Sequence, residues 1–135
     1  FPGNLRIHAL AASSGKVATV ESVTGTGENP SRLVVYSTSS SIPYRHALSD
    51  IEESETYFCS ATRLRFFNSG ILLFDKECEK LGVFDREGYF INALNLRELG
   101  IRSPKDMAVF ENEVYFLTET SMILTYRLDL ADLLR

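Results

Sequence analysis

The sequence contains no tryptophan, only two histidines and two cysteines, and no apolar run near the roughly 20 residues that span a bilayer. It has no N-terminal signal pattern, and its one Asn-x-Ser/Thr triplet has proline at the centre, which excludes glycosylation there. Two cysteines are too few for a disulfide framework, so we expect Cys59 and Cys78 to be free thiols, although they could pair. These absences predict an intracellular, cytoplasmic protein.

Basic side chains are outnumbered, since 14 Lys and Arg stand against 18 Asp and Glu, and the formal net charge is −4. Proteins that bind nucleic acid usually carry a basic stripe, so this balance argues against such a partner. The 135 residues are 44% hydrophobic and include nine Phe and six Tyr. They suffice for one domain with an aromatic-rich core.

One hairpin pattern, Lys80–Leu94 (KLGVFDREGYFINAL), places two apolar runs on either side of a polar turn. Gly88 in that turn allows the positive φ that a tight hairpin needs. The aliphatic and aromatic order of the first run recurs at Arg32–Tyr36 and Met122–Tyr126, at spacings of about 48 and 42 residues. This spacing is typical of propeller blades, which are sheets of four antiparallel strands.

Other strands repeat around this pattern and define strands A to D in each unit. The predicted A strands are Arg6–Ala12, Thr62–Phe67 and Lys105–Phe110; the B strands are Lys16–Glu21, Ile71–Asp75 and Glu113–Glu119; the D strands are Tyr44–Leu48 and Tyr89–Leu94. The third unit ends in 129–135 (DLADLLR). The chain 1–135 is thus predicted to be one all-β segment of about three propeller-type blades, with units at about 5–48, 62–94 and 105–135, that is, a partial or half propeller.

Strand polarity favours stacked blades over an isolated sheet. Thr62–Phe67 alternates between charged and apolar residues, as a half-exposed strand does. Ile71–Phe74 is apolar throughout, so we expect both of its faces to be covered by neighbouring blades. The alternative is a compact antiparallel β domain, pleckstrin-like or polo-box-like, with a final helix at 129–135. The predicted core is Leu33, Val35, Leu64, Phe66, Leu72, Phe74, Val83, Phe84, Val109, Tyr115 and Leu117.

The second and third units resemble the NHL-repeat pattern. In the second unit the similar run is Lys80-Leu81-x-Val83-Phe84-Asp85-x-x-Gly88-x-Phe90. In the third unit the similar segments are Pro104-x-x-Met107-Ala108-Val109, then Val114-Tyr115-Phe116-x-x-Glu119, then Ile123-x-x-Tyr126. Glu79-Lys80-Leu81 stands in the slot of the Asn-His-Leu that names the family. The likeness covers residues 62–128 well and residues 5–48 weakly. It implies a ring of about six blades. A second copy, or the remainder of a longer chain, would complete that ring and cover the end faces near Ile7–Ala11 and Val114–Leu117.

The resemblance also implies RNA binding on the face that B–C loops and blade connections build. The basic residues expected on that face are Lys76, Lys80, Arg97, Arg102 and Lys105, and the acidic ones are Glu28, Asp50, Glu52, Glu53, Glu55, Glu77, Glu79, Glu98 and Glu119. Such an excess of acids repels a phosphate backbone. We therefore expect a non-enzymatic platform for protein–protein interaction, with a basic partner. An RNA-binding NHL-type module is the first alternative, and a compact β adaptor domain is the second.

Seven residues are the candidate binding set: Asp50, Glu52, Glu53, Glu55, Lys80, Arg97 and Arg102. No catalytic residue, metal ligand or cofactor is expected. No Ser/His/Asp grouping around His8 or His46 can be assigned from the local sequence, and the Asp50–Glu55 stretch does not match an EF-hand loop. The starts of the A strands offer mainly cations, with Asp106 as the one carboxylate, so they do not resemble the metal centre of enzymatic propellers.

Overall fold

A computed structural model describes residues 4–24, 31–67, 70–110, 113–119 and 123–127, and these residues form three antiparallel sheets. The first sheet has the order β1 (Asn4–Ser13), β2 (Lys16–Thr24), β3 (Arg32–Ser37) and β4 (Tyr44–Ala47). The second has β5 (Ala61–Phe67), β6 (Gly70–Asp75), β7 (Lys80–Asp85) and β8 (Phe90–Asn95), and the third has β9 (Pro104–Phe110), β10 (Glu113–Thr118) and β11 (Ile123–Arg127).

The predicted all-β class and the antiparallel four-stranded units are confirmed. Each sheet follows the order of the sequence, so every strand pairs with the next strand along the chain. The ending of the third unit at 129–135, including the alternative final helix, lies outside the described residues, as does the Gly-rich stretch 25–30. Within the described part of the chain, no helix is long and apolar enough to cross a membrane.

The β7–β8 hairpin forms where the sequence predicts it. Gly88 has a φ of 94°, a left-handed conformation that glycine adopts without a steric penalty. The carboxylate of Asp85 accepts hydrogen bonds from the backbone N–H groups of Glu87 and Tyr89, at 3.0 and 2.9 Å. An aspartate at the start of a turn stabilises it in this way.

The second sheet lies between the other two, and β6 is buried along its whole length. Leu72 and Phe74 face the third sheet, where the ring centroids of Phe74 and Phe116 are 5.9 Å apart. Ile71 and Leu73 point to the opposite face of the strand and belong to the cluster shared with the first sheet. The prediction that both faces of this strand are covered is therefore confirmed.

The first strands of the three sheets are neighbours. β1 packs beside β5, and β5 contacts β9. An ion pair joins β5 to β9, with Arg63 Nε 3.0 Å from Asp106 Oδ1. The first strands of the three sheets therefore form part of the contact between neighbouring sheets.

The predicted core is correct for the first two sheets, apart from the half-buried Phe66, and wrong for part of the third. Tyr115 and Leu117 are only half-buried, and with Ile123 they line an open apolar cavity of about 260 Å³ on the side of the sheet away from the second sheet. Val114 and Phe116 are buried instead. Because β10 is apolar at successive positions, its sequence does not specify which face points inward. Val109, also in the predicted core, is half-buried as well.

The expectation of free thiols is wrong, because Cys59 and Cys78 form a disulfide with a Cα–Cα distance of 5.7 Å. The pair joins the β4–β5 loop to the β6–β7 turn, which are 19 residues apart in sequence and adjacent in space. Structural disulfides persist mainly in oxidising compartments. The intracellular location stays a prediction, and the free thiols no longer support it.

Candidate functional site

Three connections lie together at one end of the second sheet, and we call this surface the loop face. They are the β4–β5 loop (residues 48–60), the β6–β7 turn (76–79) and the β8–β9 loop (96–103). In an antiparallel sheet the connection after every second strand returns to the same end, so this grouping follows from the strand order. The seven candidate binding residues all lie on these connections or directly beside them.

The carboxylate of Asp75 holds two connections of the loop face together through hydrogen bonds. Its side chain is fully buried at the end of β6. One carboxylate oxygen accepts a hydrogen bond from Cys59 N at 2.6 Å, and the other accepts bonds from the backbone N–H groups of Ser60, Glu77 and Cys78, at 3.1 to 3.2 Å. Burial raises the pKa of Asp75, and the four N–H groups oppose that rise by stabilising the ionised form.

The sequence contains a signal for this junction that the candidate set did not use. Each predicted B strand ends in an acidic residue, and in two sheets that residue is buried. Glu21, at the corresponding end of β2, accepts hydrogen bonds from the hydroxyls of Thr19 and Tyr36. The bond to Glu21 raises the pKa of the Tyr36 phenol. The carboxylate of Asp75 therefore joins two loops, whereas that of Glu21 joins side chains of β2 and β3.

Cys59, Asp75 and Cys78 bring possible metal ligands within 4.8 Å of one another. The two sulfur atoms are bonded to each other, and both oxygens of Asp75 already accept backbone hydrogen bonds. A zinc site needs thiolates and free carboxylate lone pairs. In this disulfide-bonded form, the trio is a structural junction between two loops.

The side chain of Lys80 makes contacts with other residues of the chain. Its ammonium group donates a hydrogen bond to the carbonyl oxygen of Tyr57 and lies 4.5 Å from the centroid of the Phe58 ring. Burial lowers the pKa of Lys80, while Asp75 and Glu55 act in the opposite direction. A Cβ atom at Gly82 would lie 2.6 Å from Phe58 Cζ, so glycine is needed there for the ring to pack.

Arg97 forms an ion pair with Glu79, a turn residue whose backbone conformation is unusual. Glu79 has a φ of 53°, and its carboxylate accepts a hydrogen bond from Ser103 N at 2.9 Å. The other oxygen of the same carboxylate lies 3.5 Å from Arg97 Nε. Glu79 thus ties the β6–β7 turn to the β8–β9 loop. Arg102 lies exposed on that loop.

The four acidic candidates lie together on the β4–β5 loop, and all four side chains are exposed. A parallel bridge between Ser49 and Tyr57 closes this loop, and Ser49 N donates to the carbonyl of Thr56 at 3.2 Å. No hydrogen bond or ion pair joins the four carboxylates to any residue that the structure describes. The loop therefore holds these acids in a defined shape and leaves them free.

A cavity of about 360 Å³ opens beside this loop, between the first and second sheets. Its described lining includes Asp50 and Tyr57 from the loop, Ser31 immediately before β3 and Ser60 from the segment before β5. His8 of β1 also lines it and lies within hydrogen-bonding distance of Ser22 Oγ, at 2.6 Å. Reasoning from the sequence missed this cavity, because its walls come from two sheets whose packing no local pattern specifies.

The other histidine lies at the outer edge of the same two sheets. His46 Nε2 is 2.7 Å from the carbonyl oxygen of Glu87, and its ring meets that of Tyr89 edge-on at 4.4 Å between centroids. This contact links β4 to the β7–β8 hairpin. Both histidines thus take part in contacts that hold neighbouring strands together.

No protein-family model and no curated protein sequence match this chain. Among solved structures, the chain is similar to one described as the crystal structure of the computationally designed Ika4 protein. The identity is 13%, the match covers 92% of each chain, and the TM-score is 0.46. This similarity assigns neither a family nor a function to the chain.

Proposed function

We propose that this chain is a non-enzymatic protein-interaction module that binds a basic partner through the acidic β4–β5 loop. One observation carries the proposal: on the β4–β5 loop the four acids are free, and two of the three basic candidates have partners. The carboxylates of Asp50, Glu52 and Glu53 are exposed and unpaired among the described residues, whereas Lys80 is bonded to the Tyr57 carbonyl and the exposed Arg97 is paired with Glu79. The free charge of this surface is therefore negative.

The same imbalance disfavours RNA, which is the first alternative. Of the basic candidates, Arg102 is exposed without a described partner. Affinity for a phosphate backbone depends on several Lys or Arg side chains that displace counterions. With the exposed Lys76 of the β6–β7 turn included, two cations without a described partner stand beside four free carboxylates, and such a surface attracts basic segments instead.

Three blades of an NHL-type propeller are the arrangement that we propose for the sheets. Two features support it: the middle sheet is covered on both faces by its neighbours, and the first strands of successive sheets lie side by side. Propeller blades stack in this way around a central axis. In such a ring the β4–β5 loop is a connection between blades, which is a position suited to binding.

Neutralising the loop is expected to weaken the binding of basic peptides. A variant carrying Asp50→Asn, Glu52→Gln, Glu53→Gln and Glu55→Gln should bind a Lys/Arg-rich peptide at least about 10-fold more weakly, with a reduced salt dependence. The control variant is Glu77→Gln with Glu98→Gln and Glu119→Gln, which removes three exposed acids nearby and should retain most of the affinity. Fluorescence anisotropy at several salt concentrations measures both.

A gel-shift panel of single-stranded and hairpin RNAs tests the alternative in parallel. We expect weak, non-specific shifts at physiological salt. Sub-micromolar, sequence-specific RNA binding would reverse the assignment, and Lys80, Arg97 and Arg102 would then be the residues to replace first. Failure of the unaltered chain to bind any basic peptide would contradict the proposal directly.

Exposed apolar side chains at both ends of the stack support a further part of the proposal, a second copy that closes the ring. Leu10 of the first sheet is 60% exposed, and Phe110 and Ile123 of the third are 66% and 69% exposed. Covering such area stabilises by roughly 25 cal/mol per Å². Further blades of a longer chain would cover the same faces.

Sedimentation at low concentration is expected to give twice the mass of the chain. Leu10→Arg should shift the protein to monomer, because it places a charge in the proposed contact. Ile42→Arg is the control, since Ile42 is 74% exposed in the β3–β4 loop, away from the end faces. A stable monomer of the unaltered chain would favour the compact β adaptor domain instead of a half ring.

A further inference from the structure

The cavity between the first and second sheets has walls that are fixed before any ligand arrives. The Ser49–Tyr57 bridge closes the loop on one side. On the other side, the disulfide and the carboxylate of Asp75 hold Cys59 and Ser60. A site whose walls are already ordered loses little conformational entropy when it binds.

The polar lining of this cavity has unused hydrogen-bonding capacity. The Asp50 carboxylate and the hydroxyl groups of Ser31, Tyr57 and Ser60 make no side-chain hydrogen bond to any described part of the chain. A carboxylate only accepts hydrogen bonds, and each hydroxyl oxygen can accept as well. The cavity therefore suits a ligand that carries several donors and a positive charge, and the Asp50 charge disfavours phosphates and other anions.

Most of the remaining lining is apolar, and it also includes His8 and Ser49. Val20, Leu48 and Phe58 contribute to the same walls. Lys80 lies against the Phe58 ring, but it is not part of the cavity lining and its ammonium is bonded to the Tyr57 carbonyl. An arginine side chain combines an aliphatic stem with a terminal group of five N–H donors, so it matches both parts of this lining.

We propose that this cavity is the anchor site for an arginine side chain of the basic partner, an inference that rests on the function proposed above. The guanidinium donates to the Asp50 carboxylate and the surrounding hydroxyls, and the stem packs on the apolar wall. The volume of about 360 Å³ lies at the lower end of the range of roughly 300–1,000 Å³ for ligand sites, which suits one side chain. Arginine is preferred to lysine because its planar group reaches several acceptors at once.

A peptide is the source of this arginine, because the loop offers more than the cavity. Glu52 and Glu53 are exposed on the same loop and do not line the cavity. They are placed to attract basic residues that flank the anchor, which free arginine lacks. The affinity of a peptide should therefore exceed that of the amino acid alone.

Anisotropy titrations with labelled peptides test the anchor. The probe is a short Lys-containing peptide with one central arginine, compared with the same peptide carrying citrulline or lysine at that position. Citrulline keeps the shape and removes the charge, so affinity should fall at least about 10-fold, since bonds between charged groups are the strong ones. Asp50→Asn should weaken the arginine peptide by about 10- to 100-fold. Glu77→Gln, which removes an exposed acid of the β6–β7 turn outside the cavity, should change it by less than about 3-fold.

Each other outcome overturns the inference in a distinguishable way. Equal affinity for citrulline and arginine peptides, or equal losses for Asp50→Asn and Glu52→Gln, would mean that loop charge alone binds the partner; the proposed function would stand without the anchor. Acetyl-arginine amide binding as tightly as the peptide would make this a small-molecule site. Ser31→Phe, which fills the cavity without a change of charge, should abolish the arginine preference while thermal melting stays unchanged. Binding of no basic peptide would overturn the anchor and the function together.

Discussion

Replacing Phe74 by alanine is expected to lower the free energy of unfolding by about 3–5 kcal/mol, the usual cost of deleting a fully buried aromatic ring. Phe74 is 0% exposed on a strand that is buried along its length. Its ring packs against Phe116 of the third sheet, and β6 carries the contacts of the second sheet with both neighbours. A cavity at this point has few side chains free to collapse into it.

Urea titration followed by tyrosine fluorescence or circular dichroism measures this loss, at a fixed protein concentration. Ile42→Ala is the control, because Ile42 is 74% exposed in the β3–β4 loop and its truncation should cost less than about 0.5 kcal/mol. A loss below about 1 kcal/mol for Phe74→Ala would mean that β6 is not the centre of the stack.

Removing the disulfide is expected to cost about 3 kcal/mol. The bond between Cys59 and Cys78 closes a loop with a sequence separation of 19, and a crosslink of that span restricts the unfolded chain by about this amount. The double variant Cys59→Ser with Cys78→Ser tests it by denaturant unfolding under non-reducing conditions. The unaltered protein should lose the same stability when a reductant is added.

The double variant in the presence of reductant serves as the control, since it has no bond to lose and should not change further. A loss under about 1 kcal/mol would show that the Asp75 carboxylate already holds the two loops together without the sulfur bond. In that case the four backbone bonds to Asp75, and not the disulfide, would fix the wall of the cavity. If instead the disulfide is the main support of the cavity wall, reducing it should weaken the binding of the arginine peptide.

The sequence specifies the strands well because each strand carries its own local signal. The alternation in Thr62–Phe67, the wholly apolar Ile71–Phe74 and the turn ending in Gly88 each depend on neighbouring residues only. The structure places β5, β6 and the β7–β8 hairpin at these positions. The spacing of the repeats likewise predicts the grouping of strands into sheets, because antiparallel neighbours are joined directly.

Features that need two distant segments could not be predicted from the sequence in this way. Tyr115 and Leu117 were assigned to the core, but β10 is apolar on both faces, and only packing against the second sheet selects Val114 and Phe116. The two cysteines meet where the backbone N–H groups of Cys59 and Cys78 both donate to the carboxylate of Asp75. Two cysteines in a sequence carry no information about that distance.

The sequence by itself determined the all-β class, the antiparallel pairing of successive strands and the excess of acids in Asp50–Glu55, because strand periodicity and charge are properties of short stretches. The tertiary structure alone decided which charges remain free. It ties Lys80 to the Tyr57 carbonyl and Arg97 to Glu79, and it places Asp50 beside a cavity formed by two sheets. Whether a side chain is engaged depends on residues brought close by folding, and no local pattern records those contacts.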